Sequence, residues 1–371
     1  MFKTHDIVIS NRPKTTPANI LLYECQGIGF SNYGEYWRQV RKICVLQLLS
    51  VRRVQSFQHV RDGEQYSFPL RPWEEFDAEE ENTGQSNKFG ELSRRLEEQF
   101  AAFCVGDTFL FLGCLDVLSG LIGRLNATTR AIDALLDRVI EEHTNRASSG
   151  SDDDDDQSNK KDFVDILLQL RKDGMLGAEL SQDNLKAVIL DMFVAGTDTT
   201  ATTLEWAMAE LMKNPTSMKR AREEVRSVAK GKLNIDMKDI EKMDYLKCVV
   251  KETLRLHPPT PLLAPREITE DPQGWDRPED FLSDRFLNSL VDCKSQDFEF
   301  ISFGAGRRGY LGTSFALVEV EYVIANLLYW FDWNLPLGKV EENLDMFEVN
   351  GLVVHKKLPL HPVPTLYSPY P

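Results

Sequence analysis

Between Ser181 and Pro215 the chain carries one unbroken helical pattern, running from about Asp183 to Lys213. Ser181 supplies a cap at its start and Pro215 a stop at its end. At 1.5 Å per residue this helix is roughly 45 Å long, enough to cross a whole domain. Helical periodicity also covers Phe100 to His143, with Ile132, Leu135, Leu136, Val139 and Ile140 on one face. Further helices are expected over 162–171, 215–229 and 239–256, the last stopped by Pro258-Pro259, and over about Ser314 to Trp330. Residues 1–62 read as a loop and helices, with Trp37 near the start of one. The short apolar run Gly351–Val354 is the only clear strand. The fold class is mainly α with a small β component.

The long helix breaks its own rules in its middle. Ala195-Gly196-Thr197-Asp198-Thr199-Thr200 places a glycine and three threonines in a helix interior. Glycine there costs about 1 kcal/mol relative to alanine, and each threonine roughly half that. The apolar stripe Leu185, Val188, Ile189 and Met192 continues through Gly196, Thr199 and Thr203, so one face turns small and hydroxylated. One explanation is a kink packed against another helix, with the threonines bonded to their own backbone. The other is a groove over a cofactor, where glycine gives room and an acid–alcohol pair relays protons.

A second segment carries more. Phe303-Gly-Ala-Gly-Arg-Arg-Gly-Tyr-Leu-Gly312, followed by an apolar helix, resembles the haem-binding loop of the cytochrome P450 family. That loop runs Phe, two residues, Gly, one residue, Arg, one residue, Cys, one residue, Gly. Phe303, Gly306, Arg308 and Gly312 fall in place, and the cysteine position is Tyr310. The resemblance implies that Asp198 and Thr199 deliver protons for dioxygen cleavage on haem b. It also implies that Trp37 and Arg41, from Trp37-Arg38-Gln39-Val40-Arg41, bond the haem propionates, with Arg308 and Arg266 adding contacts. Phe303 and Gly312 belong to the loop that holds the cofactor, and residue 310 faces the metal. Glu252-Thr-Leu-Arg255 and Arg285 match the family's structural ion triad, which holds the region leading into the loop.

Position 310 matters because the family's chemistry depends on an anionic cysteine sulfur that pushes electron density onto iron. A phenol has a pKa near 10, a harder oxygen and a longer side chain. Tyrosinate does bind haem iron in catalase, so ligation by Tyr310 stays open at this point.

Composition narrows the remainder. A net charge of −15, from 58 acids and 43 bases, excludes nucleic acid as an expected partner. Against that balance, residues 36–61 hold six Lys or Arg (38, 41, 42, 52, 53 and 61) and no acid. Such segregation suits propionates and an acidic electron-donating flavoprotein, or a plain solvated face. Six scattered cysteines without CxxC spacing suggest buried free thiols in a reducing compartment. The run Asp152–Asp156 within 149–160 reads as a solvated acidic linker, and 64–98 as irregular. No stretch has the length and apolarity of a membrane span, and the polar run Lys3-Thr-His-Asp6 is unlike a signal peptide.

Taken whole, the resemblance implies one cytochrome P450 domain over 1–371, of the plant specialised-metabolism type, internally shortened and beginning after the anchor of full-length members. Its implied activity is oxygenation of an apolar small molecule, terpenoid- or alkaloid-like, with haem, dioxygen and NADPH-cytochrome P450 reductase. The implied location is the cytosolic face of the endoplasmic reticulum, with only peripheral membrane association, or the cytoplasm for want of an anchor. The alternative is an inactive homologue or gene fragment that binds haem or ligand at most.

Overall fold

A computed structural model describes residues 10–58, 60–61, 86–149, 161–174, 181–232, 234–261, 276–287, 289, 291–293, 300–336, 343–349 and 351–367. Arg266, residues 150–160 of the acidic linker and residues 64–85 of the irregular segment lie outside these. The chain divides into two compact units, one built chiefly from Lys3–Arg53 and Glu79–Gly196, the other from Val54–Ala78 and Thr197–Pro371. The division cuts the long helix at its Gly196–Thr197 peptide and a short helix, residues 51–56, between Arg53 and Val54.

Among the described residues the first unit carries helices joined by turns, with no strand. Helix α1 (Thr16–Leu21) is capped by the Thr15 hydroxyl, which accepts from the Ala18 N–H. Helix α2 (Glu35–Ile43) runs on into a π-helical turn, Cys44–Leu48, and α3 spans Val51–Ser56. Then follow α4 (Ser86–Phe100), the short α5 (Val105–Thr108) and α6 (Cys114–Leu118), and the 29-residue α7 (Leu121–Ser149). Helix α8 (Phe163–Lys172) opens on a capping box made by Asp162 and Asp165. Helix α7 packs against α1, α4 and α8. It buries Leu125, Ile132, Leu136 and Ile140, while Leu135 and Val139, which periodicity also assigns to the inner face, are half-buried. The long helix α9 (Gln182–Lys213) begins here, burying Leu185, Val188 and Ile189.

The second unit wraps α10 (Pro215–Val228), α11 (Met237–Ile240), α12 (Asp244–Leu256) and α13 (Thr313–Trp330) around one core. Leu211, Val225, Leu246, Val249, Ile324 and Leu328 sit at its centre. Among the described residues it also carries two small antiparallel ribbons. Strand β1 (Phe331–Asn334) pairs with β4 (Val363–Leu366) in the register Phe331↔Leu366. Strand β2 (Glu348–Val349) pairs with β3 (His355–Lys356) in the register Glu348↔Lys356. Strand β1 follows α13 with no residue between them.

Three expectations are corrected. Residues 86–98 are helical, not irregular: their buried face is Ser93, Leu96 and Glu97, too polar to show as an apolar stripe. Gly351–Val354 is not a strand but the link between β2 and β3. Gly351 lies so close to the Val353 carbonyl that a Cβ would meet it at 2.9 Å. The 239–256 helix is two helices, broken around Met243.

Candidate functional site

The loop 301–312 is shaped by its backbone. Gly304 and Gly306 adopt φ of 70° and 72°, the left-handed region that residues with a Cβ rarely enter. The Gly304 N–H donates to Ile301 O at 2.7 Å, and the Tyr310 N–H to Phe303 O at 2.9 Å. These bonds fold the loop back on itself just before α13. Arg308 is buried within it. The Tyr310 ring stacks on Phe303, with centroids 5.8 Å apart and planes 12° from parallel. Gly312 lies against the same ring, so close that a Cβ there would meet two ring carbons and the hydroxyl at 2.9 Å.

That donor set does not fit the thiolate ligation the loop's pattern implies. Loss of water contact pushes the Tyr310 phenol up to about 12, so at neutral pH it is a protonated phenol. No described cysteine lies in the loop. Cys293, the cysteine nearest in sequence, is buried, contacts Asp292, and has a thiol likewise pushed up to about 12 by desolvation.

Asp198 and Thr199 lie on α9 in the second unit. The Asp198 carboxylate is 3.0 Å from His355 Nε2, and the other ring nitrogen is 2.9 Å from the Thr202 hydroxyl. The Thr203 hydroxyl donates to the Thr199 carbonyl at 2.8 Å, the self-bonding that threonines in a helix offer. A Cβ on Gly196 would meet nothing within 4 Å among the described residues. His355 has no signal in the sequence: it follows Val354 in a short polar run, and only the β2–β3 ribbon brings it to α9.

The same ribbon borders a second polar cluster. His257 stands between Glu210 Oε1 at 2.8 Å and Glu348 Oε1 at 3.3 Å. Its ring stacks on Trp206 at 3.9 Å and 5°. The Trp206 indole N–H donates to Val354 O at 3.2 Å. This cluster too was invisible locally.

The ion triad forms as the resemblance implies. The Glu252 carboxylate, fully buried, accepts from Arg255 Nε at 2.9 Å and Nη2 at 3.0 Å. It also accepts from Arg285 Nε at 2.9 Å and the Leu282 N–H at 2.7 Å. Both guanidiniums bond further carbonyls, of Pro278 and Asp276 among others. The triad ties α12 to the 3₁₀ turn Ser283–Phe286.

Trp37 and Arg41 lie in the first unit, beside a groove of about 320 Å³ shared with Arg38, Lys42, Val45 and Leu46. The Trp37 N–H, assigned to a propionate by resemblance, donates here to Ile28 O at 3.0 Å. The Arg41 guanidinium lies over the Trp37 ring at 5.3 Å, and burial lowers its pKa. Of the basic run, Arg61 is not a surface charge: it is buried, bonded to Glu319 at 2.6 Å and to Val54 O at 2.8 Å. Arg38, Lys42 and Arg52 remain exposed.

Asp191, two turns before Asp198 on α9, went unnoticed in the sequence. Its carboxylate accepts from the Gly29 N–H at 2.9 Å and lies where a Cβ on Gly27 would be, 2.3 Å from Oδ2. Burial raises its pKa to about 6, against the pull of the Gly29 and Ile28 N–H groups. A carboxyl raised on folding contributes most below its unfolded value near 4, and that contribution is lost as pH rises through 6. Asp191→Asn is expected to remove about 2–3 kcal/mol of this fall between pH 4 and 7. Urea midpoints of both proteins across that range check it, and parallel curves would refute it.

Comparison with known proteins fits this geometry. The cytochrome P450 family model matches residues 74–273 and 268–363. Cytochrome P450 71A1 of Persea americana is 43% identical over 414 aligned positions, covering 97% of this chain and 81% of the relative. The phenylacetaldehyde oxime monooxygenase of Prunus mume is 42% identical over 421 positions, covering 100% and 79%. Among solved structures, a zebra fish cytochrome P450 with progesterone superposes with a TM-score of 0.69 at 19% identity, covering 98% of this chain and 90% of its own. Mainly helical, this chain has the cytochrome P450 fold and belongs to the cytochrome P450 family of haem-dependent monooxygenases.

Proposed function

We propose that this chain is a monooxygenase scaffold for an apolar plant metabolite of terpenoid- or alkaloid-like type, supplied with electrons by NADPH-cytochrome P450 reductase. The observation that carries the reading is α9. It places Asp198 and Thr199 beside an open glycine, with Asp198 tethered to His355. Haem b, when bound, supplies the dioxygen chemistry. Asp198 and Thr199 hold and move protons at their carboxylate and hydroxyl. Arg308, and by resemblance Arg41 and Arg266, supply polar groups toward the cofactor, whereas the Trp37 N–H is taken up by Ile28 O. The exposed cations Arg38, Lys42 and Arg52 offer an acidic reductase a docking surface.

We place the whole in one domain that is shorter inside than its relatives. Two facts support this: the alignments to those relatives are longer than the 371-residue chain, and the family model matches in two pieces meeting near residue 270. We place the protein at the cytosolic face of the endoplasmic reticulum, by peripheral contact. Among the described residues no single helix is long and apolar enough to cross a membrane. Residues 103–118, however, expose Leu110 at 84%, Phe111 at 98% and Leu118 at 80%. Exposed apolar area of this kind marks an interaction surface. Changing all three to Glu is expected to cut co-sedimentation with phosphatidylcholine vesicles at least about tenfold. Unchanged co-sedimentation would remove this patch from the proposal.

A second reading is favoured by Tyr310: a homologue that binds haem or ligand without turnover. The deciding experiment is the reduced, carbon-monoxide-bound difference spectrum of the chain and of Tyr310→Cys. A thiolate-type band in the variant alone places the chain in this second reading, as a scaffold intact apart from residue 310. No haem in either protein sinks the monooxygenase proposal.

A further inference from the structure

We infer that Tyr310 serves the haem-free chain as a packing plug: its ring fills the loop position from which an iron ligand would come, and its phenol oxygen does not ligate iron. The inference about ligation rests on the proposed reading that haem b meets this loop. The packing role stands on the loop alone.

The ring has two close neighbours. Phe303 stacks on it and itself packs against the core of the second unit. Gly312 abuts it, with no room for a Cβ between its Cα and the ring. The backbone at 310 is fixed as well. Its N–H donates to Phe303 O at 2.9 Å, and its carbonyl accepts from the Thr313 hydroxyl at 3.0 Å, at the first residue of α13. Only the side-chain torsions are free to move the phenol. Any such movement separates the ring from Phe303 and uncovers Gly312, opening a gap at the start of α13. A cysteine at this position would leave that gap permanently, because its side chain lacks the ring that fills it. Residue 310 therefore exchanges a metal-binding role for one in which the loop keeps its shape unaided.

The test uses the full chain and four variants: Tyr310→Phe, Tyr310→Cys, Gly312→Ala, and Gly312→Ala combined with Tyr310→Cys. Without haem, Tyr310→Phe is expected to melt within about 2 °C of the parent, and Tyr310→Cys at least about 3 °C lower. Gly312→Ala is expected to lower the melting temperature of the parent and to leave that of the Tyr310→Cys variant unchanged. Hemin added to the parent and to Tyr310→Phe should give the same absorption and resonance Raman spectra, without a phenolate-to-iron signature. Equal melting of the parent and Tyr310→Cys, or a phenolate signature that Tyr310→Phe lacks, overturns the inference. Failure of Tyr310→Cys to take up hemin would count against the monooxygenase scaffold, while the haem-free melting series would still decide the plug.

Discussion

Glu252→Ala is expected to destabilise the second unit by about 3–5 kcal/mol, the cost of breaking a buried ion pair from one side. The carboxylate has no solvent exposure and holds four donors from Arg255, Arg285 and the Leu282 backbone. Without it, two nearly buried guanidiniums that also bond the carbonyls of Pro278 and Asp276 face each other across the space it filled. Charge, rather than volume, sets the size of the effect. Glu252→Gln should therefore lose most of the same stability although it preserves shape. Urea denaturation of the three proteins checks this. A loss under about 1 kcal/mol for alanine would mean that water enters and screens the arginines.

The second large effect lies at Trp206. It is fully buried and combines a stack on His257 with an N–H bond to Val354 O. Trp206→Ala is expected to cost about 3–5 kcal/mol, the usual range for removing a large buried aromatic ring. It also strips the cover from the His257–Glu210 contact, which is buried on both sides. Trp206→Phe keeps an aromatic face against His257 but loses the indole donor, so about 1–2 kcal/mol is expected from that change. Thermal denaturation followed by circular dichroism separates the two. If Phe proves as costly as Ala, the bond to Val354 outweighs the stack.

How much of this was legible depended on distance along the chain. Helix α9 was readable because its cap, stripe and terminating proline are local, and its start was found within a residue. The Glu252, Arg255 and Arg285 triad was readable through resemblance, since two members share one helical turn. His355 was not: its partners Asp198 and Thr202 lie more than 150 residues earlier, and a two-residue strand carries no period. Trp206 lies within α9 and His257 directly after the last residue of α12, and only the fold stacks them. Helix α4 was missed because its buried face includes Ser93 and Glu97, which no hydrophobic pattern counts. Tyr310 was visible as a departure from the loop's pattern, but the sequence could not show that its ring would lie on Phe303 and Gly312.

The direct passage from α13 into β1 has a consequence for anyone inserting a tag or a labelling site. Asp332, the second residue of β1, is met by Arg222 at 2.8 Å and Arg226 at 3.0 Å, and Arg226 also accepts no slack, bonding Leu328 O and Phe331 O while covering the Tyr367 ring at 3.6 Å. Side chains alternate faces along a strand, so one added residue between Trp330 and Phe331 would turn Asp332 away from both arginines and slip the pairing with β4. With no connecting loop to absorb the extra length, the junction behaves as a ratchet tooth: one inserted residue moves the β1 pairing by a whole step.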